Sequence, residues 1–188
     1  MNYFHKTFNK NNGESPVQLG LKRNQLYHHF NNMGLKVGAE IGVATGKNAL
    51  RMCEQIPGLK LFCIDPWEYY EKNPRVRHWQ ENYDQAVEKL KPYNAILVKG
   101  YSEEVVHNFE DGSLDFVYID GNHMFDFVMQ DIILWAPKVR KGGIISGHDY
   151  YNFRNAGVVD AVDAYIKAHK IEEWYLTSDK TPSWMWVK

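Results

Sequence analysis

The stretch Val37-Gly38-Ala39-Glu40-Ile41-Gly42-Val43-Ala44-Thr45-Gly46-Lys47 decides how the chain is read. Residues 35–41 are mostly apolar and predict a buried strand that runs into a glycine-bearing turn and then a helix. Such a junction gathers free backbone N–H groups and the positive end of a helix dipole around one point, so a polar ligand is expected there. Gly42 and Gly46 do not make the Gly-x-Gly-x-x-Gly of a dinucleotide site. A phosphate loop would need glycine where Ile41 stands and a hydroxyl where Asn48 stands. Glu40, near the strand's end, would repel a pyrophosphate and suits a ligand with positive charge, such as a sulfonium or an ammonium.

The length of 188 residues suits one domain with a sizeable core, and 44% hydrophobic against 24% charged residues is ordinary for a soluble globular protein. The formal charge of −1 gives no basic excess, which argues against a nucleic-acid partner. No apolar run approaches membrane-spanning length, and the polar segment Met1 to Asn12 does not read as a signal peptide. Cys53 and Cys63 lie inside apolar stretches and read as reduced core residues, which fits a cytoplasmic location.

Upstream of the opening strand, residues 1–14 show little periodicity and read as a mobile arm. Ser15-Pro16-Val17-Gln18 reads as a capping box that starts a helix running to Met33, where Gly34 stops it. Residues 1–34 are therefore taken as an arm and helix, and residues 35–188 as the ligand-binding domain. The helix packs on the sheet edge or covers a ligand as a lid.

Downstream, a helix over 48–55 ends at Pro57-Gly58, and the buried strand 59–64 ends in Asp65-Pro66-Trp67. An acid at the tip of this strand is where a nucleotide-binding α/β fold places its ribose carboxylate, which can accept from both hydroxyls of a cis-diol. The loop from Pro66 to Arg77, with Trp67, Tyr69 and Tyr70, would wall an acceptor pocket. Val76, Trp79, Tyr83, Val87 and Leu90 recur at helical spacing and read as core. Three further strands end in polar clusters: 95–98 in Lys99-Gly100-Tyr101-Ser102, 114–119 in Asp120-Gly121-Asn122-His123, and 139–145 in Gly147-His148-Asp149-Tyr150. Ser102 also suits a helix N-cap, Asp120-Gly121-Asn122 a turn and cap, and His148-Asp149 a local pair. Helices over 124–135 and 158–170 follow their strands, and strands 173–177 and 184–187 should pair antiparallel across a short turn. Strand and helix alternate five times before that pair, which predicts an α/β fold with a doubly wound, mostly parallel sheet. Ligands bind such sheets at the carboxyl ends of the strands, where all these clusters fall.

Glu40-x-Gly42-x-x-x-Gly46 after a first strand resembles motif I of the class I S-adenosylmethionine-dependent methyltransferases, and the likeness runs from Leu35 to the end of the chain. It implies a seven-stranded Rossmann-like sheet with the last strand inserted antiparallel, and S-adenosylmethionine as cofactor. It also implies a cofactor site of Glu40, Gly42, Gly46, Asp65, Pro66, Trp67 and Ser102. In it Asp65 binds the ribose, Pro66 and Trp67 border the adenine, and Ser102 edges the ring.

Asp120, His123 and Asp149 resemble the corresponding residues of the metal-dependent small-molecule O-methyltransferases, the macrolide-sugar and catechol enzymes among them. That likeness implies a divalent ion (Mg, Mn or Fe) on Asp120, His148 and Asp149, with His123 as catalytic base. His148 departs from the commoner oxygen ligand, and an imidazole there shifts preference from magnesium toward manganese, iron or zinc. A metal would acidify and orient an acceptor hydroxyl, and His123 would remove its proton. The Tyr150, Tyr151, Phe153 and Arg154 run would shape the acceptor pocket.

The implied partner is a small-molecule acceptor, with a sugar hydroxyl, a phenol and a catechol all open, and neither nucleic acid nor membrane. The arm and first helix offer a homodimer contact. Alternatives are a metal-independent N- or O-methyltransferase, a nicotinamide-dependent oxidoreductase, disfavoured by the missing third glycine and by Glu40, and a non-catalytic ligand-binding module.

Overall fold

A computed structural model of the chain describes residues 2–9, 13–68, 78–153 and 156–188. Its centre is β2 (Val37–Ile41), which pairs in parallel with β3 (Lys60–Asp65) on one side and β5 (Leu114–Ile119) on the other. β4 (Ala95–Lys99) extends the sheet beyond β3, and β6 (Val139–Gly147) lies beside β5. β8 (Trp184–Val187) is inserted antiparallel between β6 and β7 (Trp174–Leu176). The strand order is β1-β7-β8-β6-β5-β2-β3-β4. This is the expected doubly wound sheet, with one short strand more than expected.

The additional strand is β1 (Val17–Gln18), which pairs in parallel with β7 where a helix start was expected. Buried Val17, Leu19 and Leu21 alternate with exposed Gln18 and Gly20, a period of two that favours a strand. Leu19 N–H donates to Leu176 O at 2.9 Å and continues the pairing. The helix, α2 (Arg23–Asn32), starts only after Gly20 has turned the chain at φ +66°. Asp179, in the turn between β7 and β8, accepts from Arg23 N–H at 2.6 Å and so sits at the positive end of α2.

Nor are the described residues of the expected arm 1–14 free of the domain. Tyr3–Phe8 form α1, whose Phe4 is fully buried against Tyr175. Glu173 holds that helix through His5 Nδ1 at 2.6 Å and Asn9 Nδ2 at 2.7 Å. A six-residue helix is too short to show a period, and tertiary contacts fix it.

Helices cover both faces of the sheet. α2 and α3 (Lys47–Gln55) pack with α1 over one face, around Leu26, Phe30, Met52 and Phe116. α6 (Phe125–Trp135) and α7 (Val158–His169) cover the other, around Val117, Ile132, Trp135 and Val162. α4 (Trp79–Leu90) lies along α3, with Ala86 so close to Gly46 that a Cβ there would be 3.1 Å from the Ala86 Cα. Only part of its apolar stripe is core. Leu90 is buried, Val87 is exposed, and Trp79 reaches the ligand edge of the sheet, because the first turn of α4 overhangs the strand tips. Of the aromatic-loop positions, Tyr69, Tyr70, Val76 and Arg154 lie outside the described residues. Both cysteines are buried and free. No helix among the described residues is long and apolar enough to cross a membrane.

Candidate functional site

The carboxyl ends of β2, β3, β4 and β5 surround a cleft of about 990 Å³, its open mouth included. Gly42 makes the junction possible. It has φ +86°, and a Cβ there would fall 2.3 Å from Asp120 O and 2.5 Å from Gly121 Cα. Backbone bonds join the tips: Gly42 N–H donates to Ile64 O at 2.9 Å, and Asp120 N–H to Ile41 O at 2.8 Å.

Asp65 ties the glycine turn to the end of β3. Its two carboxylate oxygens accept from Ala44 N–H at 2.9 Å and Trp67 N–H at 2.8 Å. The Trp67 indole donates back to Ala44 O at 2.8 Å. Ala44 and Trp67 both hold left-handed backbone, φ 47° and 40°, an arrangement non-glycine residues adopt only when their surroundings impose it. Burial pushes the Asp65 carboxyl up, and the backbone N–H groups oppose it.

Of the residues that the resemblance assigned to the cofactor, Asp65, Pro66, Trp67, Gly42 and Ser102 line this cleft. Two of the expected residues do not. Gly46 caps α3 with φ +73° and faces α4. Glu40 points to the opposite face of β2 from Ile41, is 1% exposed, and takes a hydrogen bond from Asn48 Nδ2 at 2.9 Å. Its Oε2 is buried with no partner among the described residues, and burial pushes the carboxyl up to about 8. Ser102 is not an N-cap either. It is the first residue of the short helix α5 (Ser102–Val105), and its side chain turns inward.

Beyond the cleft, at the ends of β5 and β6, four titratable side chains meet. His123 Nε2 is 3.2 Å from Asp149 Oδ2 and 3.7 Å from Asp120 Oδ1. His148 Nδ1 is 3.1 Å from Asp149 Oδ1 and 3.6 Å from Asp120 Oδ1, while its Nε2 meets Thr181 Oγ1 at 3.2 Å. Asp149 holds φ 57°, which turns its side chain back toward the cluster. Burial would raise Asp120, but hydrogen bonds from both imidazoles and the charge of Arg23 hold it below the usual carboxylate range. His123 is raised, chiefly by its bond to Asp120. Burial works to lower His148, yet the two carboxylates bring it to about 9. Donor atoms of Asp120, His123 and Asp149 all lie within 4.8 Å of one another, a spacing that can hold a metal ion. That set includes His123, whereas the resemblance implied His148, whose Nδ1 lies as near to both carboxylates.

Several contributors are invisible in the local sequence. Arg23, from the start of α2, sets Nη1 3.3 Å from Asp120 Oδ2 and also bonds the buried Tyr118 hydroxyl, itself 2.7 Å from Ser183 Oγ. Asp131, in the middle of α6, lines the cleft and bonds Ser102. An acid on the apolar stripe Val128, Ile132 and Trp135 was the available signal for it.

Residues 39–150 match the family described as "Methyltransferase domain". An uncharacterized protein of Sinorhizobium fredii, y4gI, is 25% identical over an alignment of 117 residues that covers 58% of this chain; the chain spans only 12% of that protein's length. Among solved structures, an O-methyltransferase from Bacillus cereus in complex with S-adenosylhomocysteine superposes with TM-score 0.65 at 15% identity, over 88% of this chain and 80% of that one. The O-methyltransferase TomG of Streptomyces achromogenes, with bound S-adenosylmethionine, gives TM-score 0.64 at 12% identity, over 88% and 79%. At these identities the structures establish a shared fold. With the family model covering more than half of its residues, the chain belongs to the methyltransferase-domain family, on the Rossmann-like class I fold.

Proposed function

We propose that the protein is an S-adenosylmethionine-dependent methyltransferase that transfers a methyl group to a hydroxyl of a small molecule with divalent-metal assistance. The observation that carries this reading is the convergence of Asp120, His123, His148 and Asp149 beside a cleft whose rim holds a ribose-type carboxylate, Asp65. A sulfonium donor is already activated, so the protein's task is to orient the acceptor and remove its proton.

Asp65, Gly42, Pro66 and Trp67 bind and orient the cofactor. Two carboxylates with an imidazole are a fitting donor set for manganese, iron or magnesium. Such an ion, when bound, supplies Lewis acidity that acidifies a nearby hydroxyl. Asp120 and Asp149 would hold it with one imidazole. Donor spacing selects His123 for the ion, whereas its 45% exposed side chain, against 11% for His148, selects it for carrying a proton to solvent. One Nε2 lone pair cannot do both. We assign the proton to His123 and the ion to His148, whose Nδ1 is as close to both carboxylates. Manganese affinity checks this: His148→Ala should weaken it about 10- to 100-fold and His123→Ala far less, and the reverse order reassigns both roles.

A metal-free reading draws on the Arg23–Asp120 pair. That arginine and the raised His148 already balance the two carboxylates, which leaves His123 alone as base. The test is S-adenosylhomocysteine release with phenol, catechol and sugar-hydroxyl acceptors, with chelator and after manganese is restored. Turnover that needs the ion supports the leading reading, and chelator-resistant turnover the second. No binding of S-adenosylmethionine at millimolar concentration would sink both.

A further inference from the structure

Of the carboxyls that line the cleft, Asp131 is one that the reading above leaves without a task. Asp131 projects from α6 and is 7% exposed, yet it lines the cleft. Its hydrogen-bond partners form a short relay whose polarity can be worked out. An indole N–H can only donate, and Trp135 Nε1 donates to Ser102 Oγ at 2.8 Å. The single Ser102 proton therefore goes to Asp131 Oδ1. Ser102 is committed on both sides and has no proton left for a ligand.

Asp131 Oδ2, in contrast, has no hydrogen-bond partner among the described residues. It faces Gly121, where a Cβ would lie 3.7 Å from it. Ile41, Ile64, Trp79 and Phe127 supply apolar walls to the same cleft. The result is a slot for a flat ring with a hydrogen-bond acceptor on its edge. Burial pushes the Asp131 carboxyl up to about 7, with the Ser102 hydroxyl opposing, so an incoming N–H donor would stabilise its ionised form.

We propose that Asp131, and not Ser102, reads the edge of the cofactor's purine by accepting a hydrogen bond from its exocyclic amino group. The inference rests on the cleft being the S-adenosylmethionine site. It makes Asp131 a specificity-determining residue for adenine. Hypoxanthine carries a carbonyl where adenine carries the amino group, and would set two acceptors face to face.

The test is calorimetric binding of S-adenosylhomocysteine and its deaminated analogue, S-inosylhomocysteine, at pH 8, where the carboxyl is ionised. Wild type should prefer the amino compound by about 30-fold, the size expected for an unpaired buried polar group. Asp131→Asn can offer its own amide donor to the carbonyl, and should cut that preference below about threefold. Ser102→Ala should keep most of it. A wild type with no preference, a preference that survives Asp131→Asn, or one lost only in Ser102→Ala overturns the inference. If Asp131→Asn does not fold, the wild-type ratio and Ser102→Ala still decide. Failure of wild type to bind either compound would instead remove the cofactor reading itself.

Discussion

The two halves of the site are built differently. The cleft is assembled over short distances: Gly42 N–H bonds Ile64 O, and Ala44, Asp65 and Trp67 bond one another, with a backbone group in every bond, across two adjacent strand tips. The imidazole–carboxylate cluster is assembled by side chains from remote parts of the chain. Arg23 arrives from α2, Asp120 and His123 from the end of β5, His148 and Asp149 from the end of β6, and Thr181 from the turn before β8. Backbone geometry tolerates few alternatives, whereas charge clusters can be rebuilt from many directions. The first half should therefore act as a fixed holder and the second as an adjustable reaction centre.

The sharpest way to break that contrast is a pair of substitutions. Asp120→Asn should lower turnover about 1,000-fold while S-adenosylhomocysteine affinity stays within threefold. Asp65→Asn should weaken that affinity about 100-fold and leave manganese affinity unchanged, because it loses both charge and an acceptor. Turnover and calorimetry on both variants check the pair. If either change moved both readouts together, the halves would not be separable.

A smaller effect is expected at Arg23, which reaches the cluster from outside the sheet. Arg23→Met should cut turnover by about 10- to 30-fold, the worth of a charged hydrogen bond, with cofactor affinity within twofold. An unchanged kcat would reduce Arg23 to a packing residue of α2.

The smallest effect sharpens the comparison from beneath the cleft. Glu40 is raised to about 8, so the folded state keeps a proton that the unfolded chain loses above about 4.5. Its contribution is present in full at acid pH and is lost as pH climbs toward 8, at up to roughly 1.4 kcal/mol per pH unit. Glu40→Gln should flatten that fall. The Tm of the variant and of wild type at pH 5 and pH 8 is the check.

Legibility in the sequence follows the same division. The strand, the glycine turn and Asp65 are near neighbours along the chain, and the hydrophobic period with its terminal acid marked them. His123 could be tied to Asp120 by spacing alone. Arg23 could not be seen, because the helix was expected to start at Ser15, which hid both β1 and the place where α2 begins. Asp131 was hidden because an acid in mid-helix declares its partner only once the helix face is known. Glu40 was legible as an acid at a strand tip, but strand alternation turned it to the face opposite the cleft.

The close approach at Gly42 has a mechanical consequence. With the tips of β2 and β5 in backbone contact, neither strand can slide past the other to welcome a differently shaped acceptor. Among the described residues, give at the cluster would come from α2 and from the turn around Asp179 and Thr181, which brace it from the far side. A relative that had taken up a new acceptor would carry its altered residues in those braces, with the floor beneath them untouched.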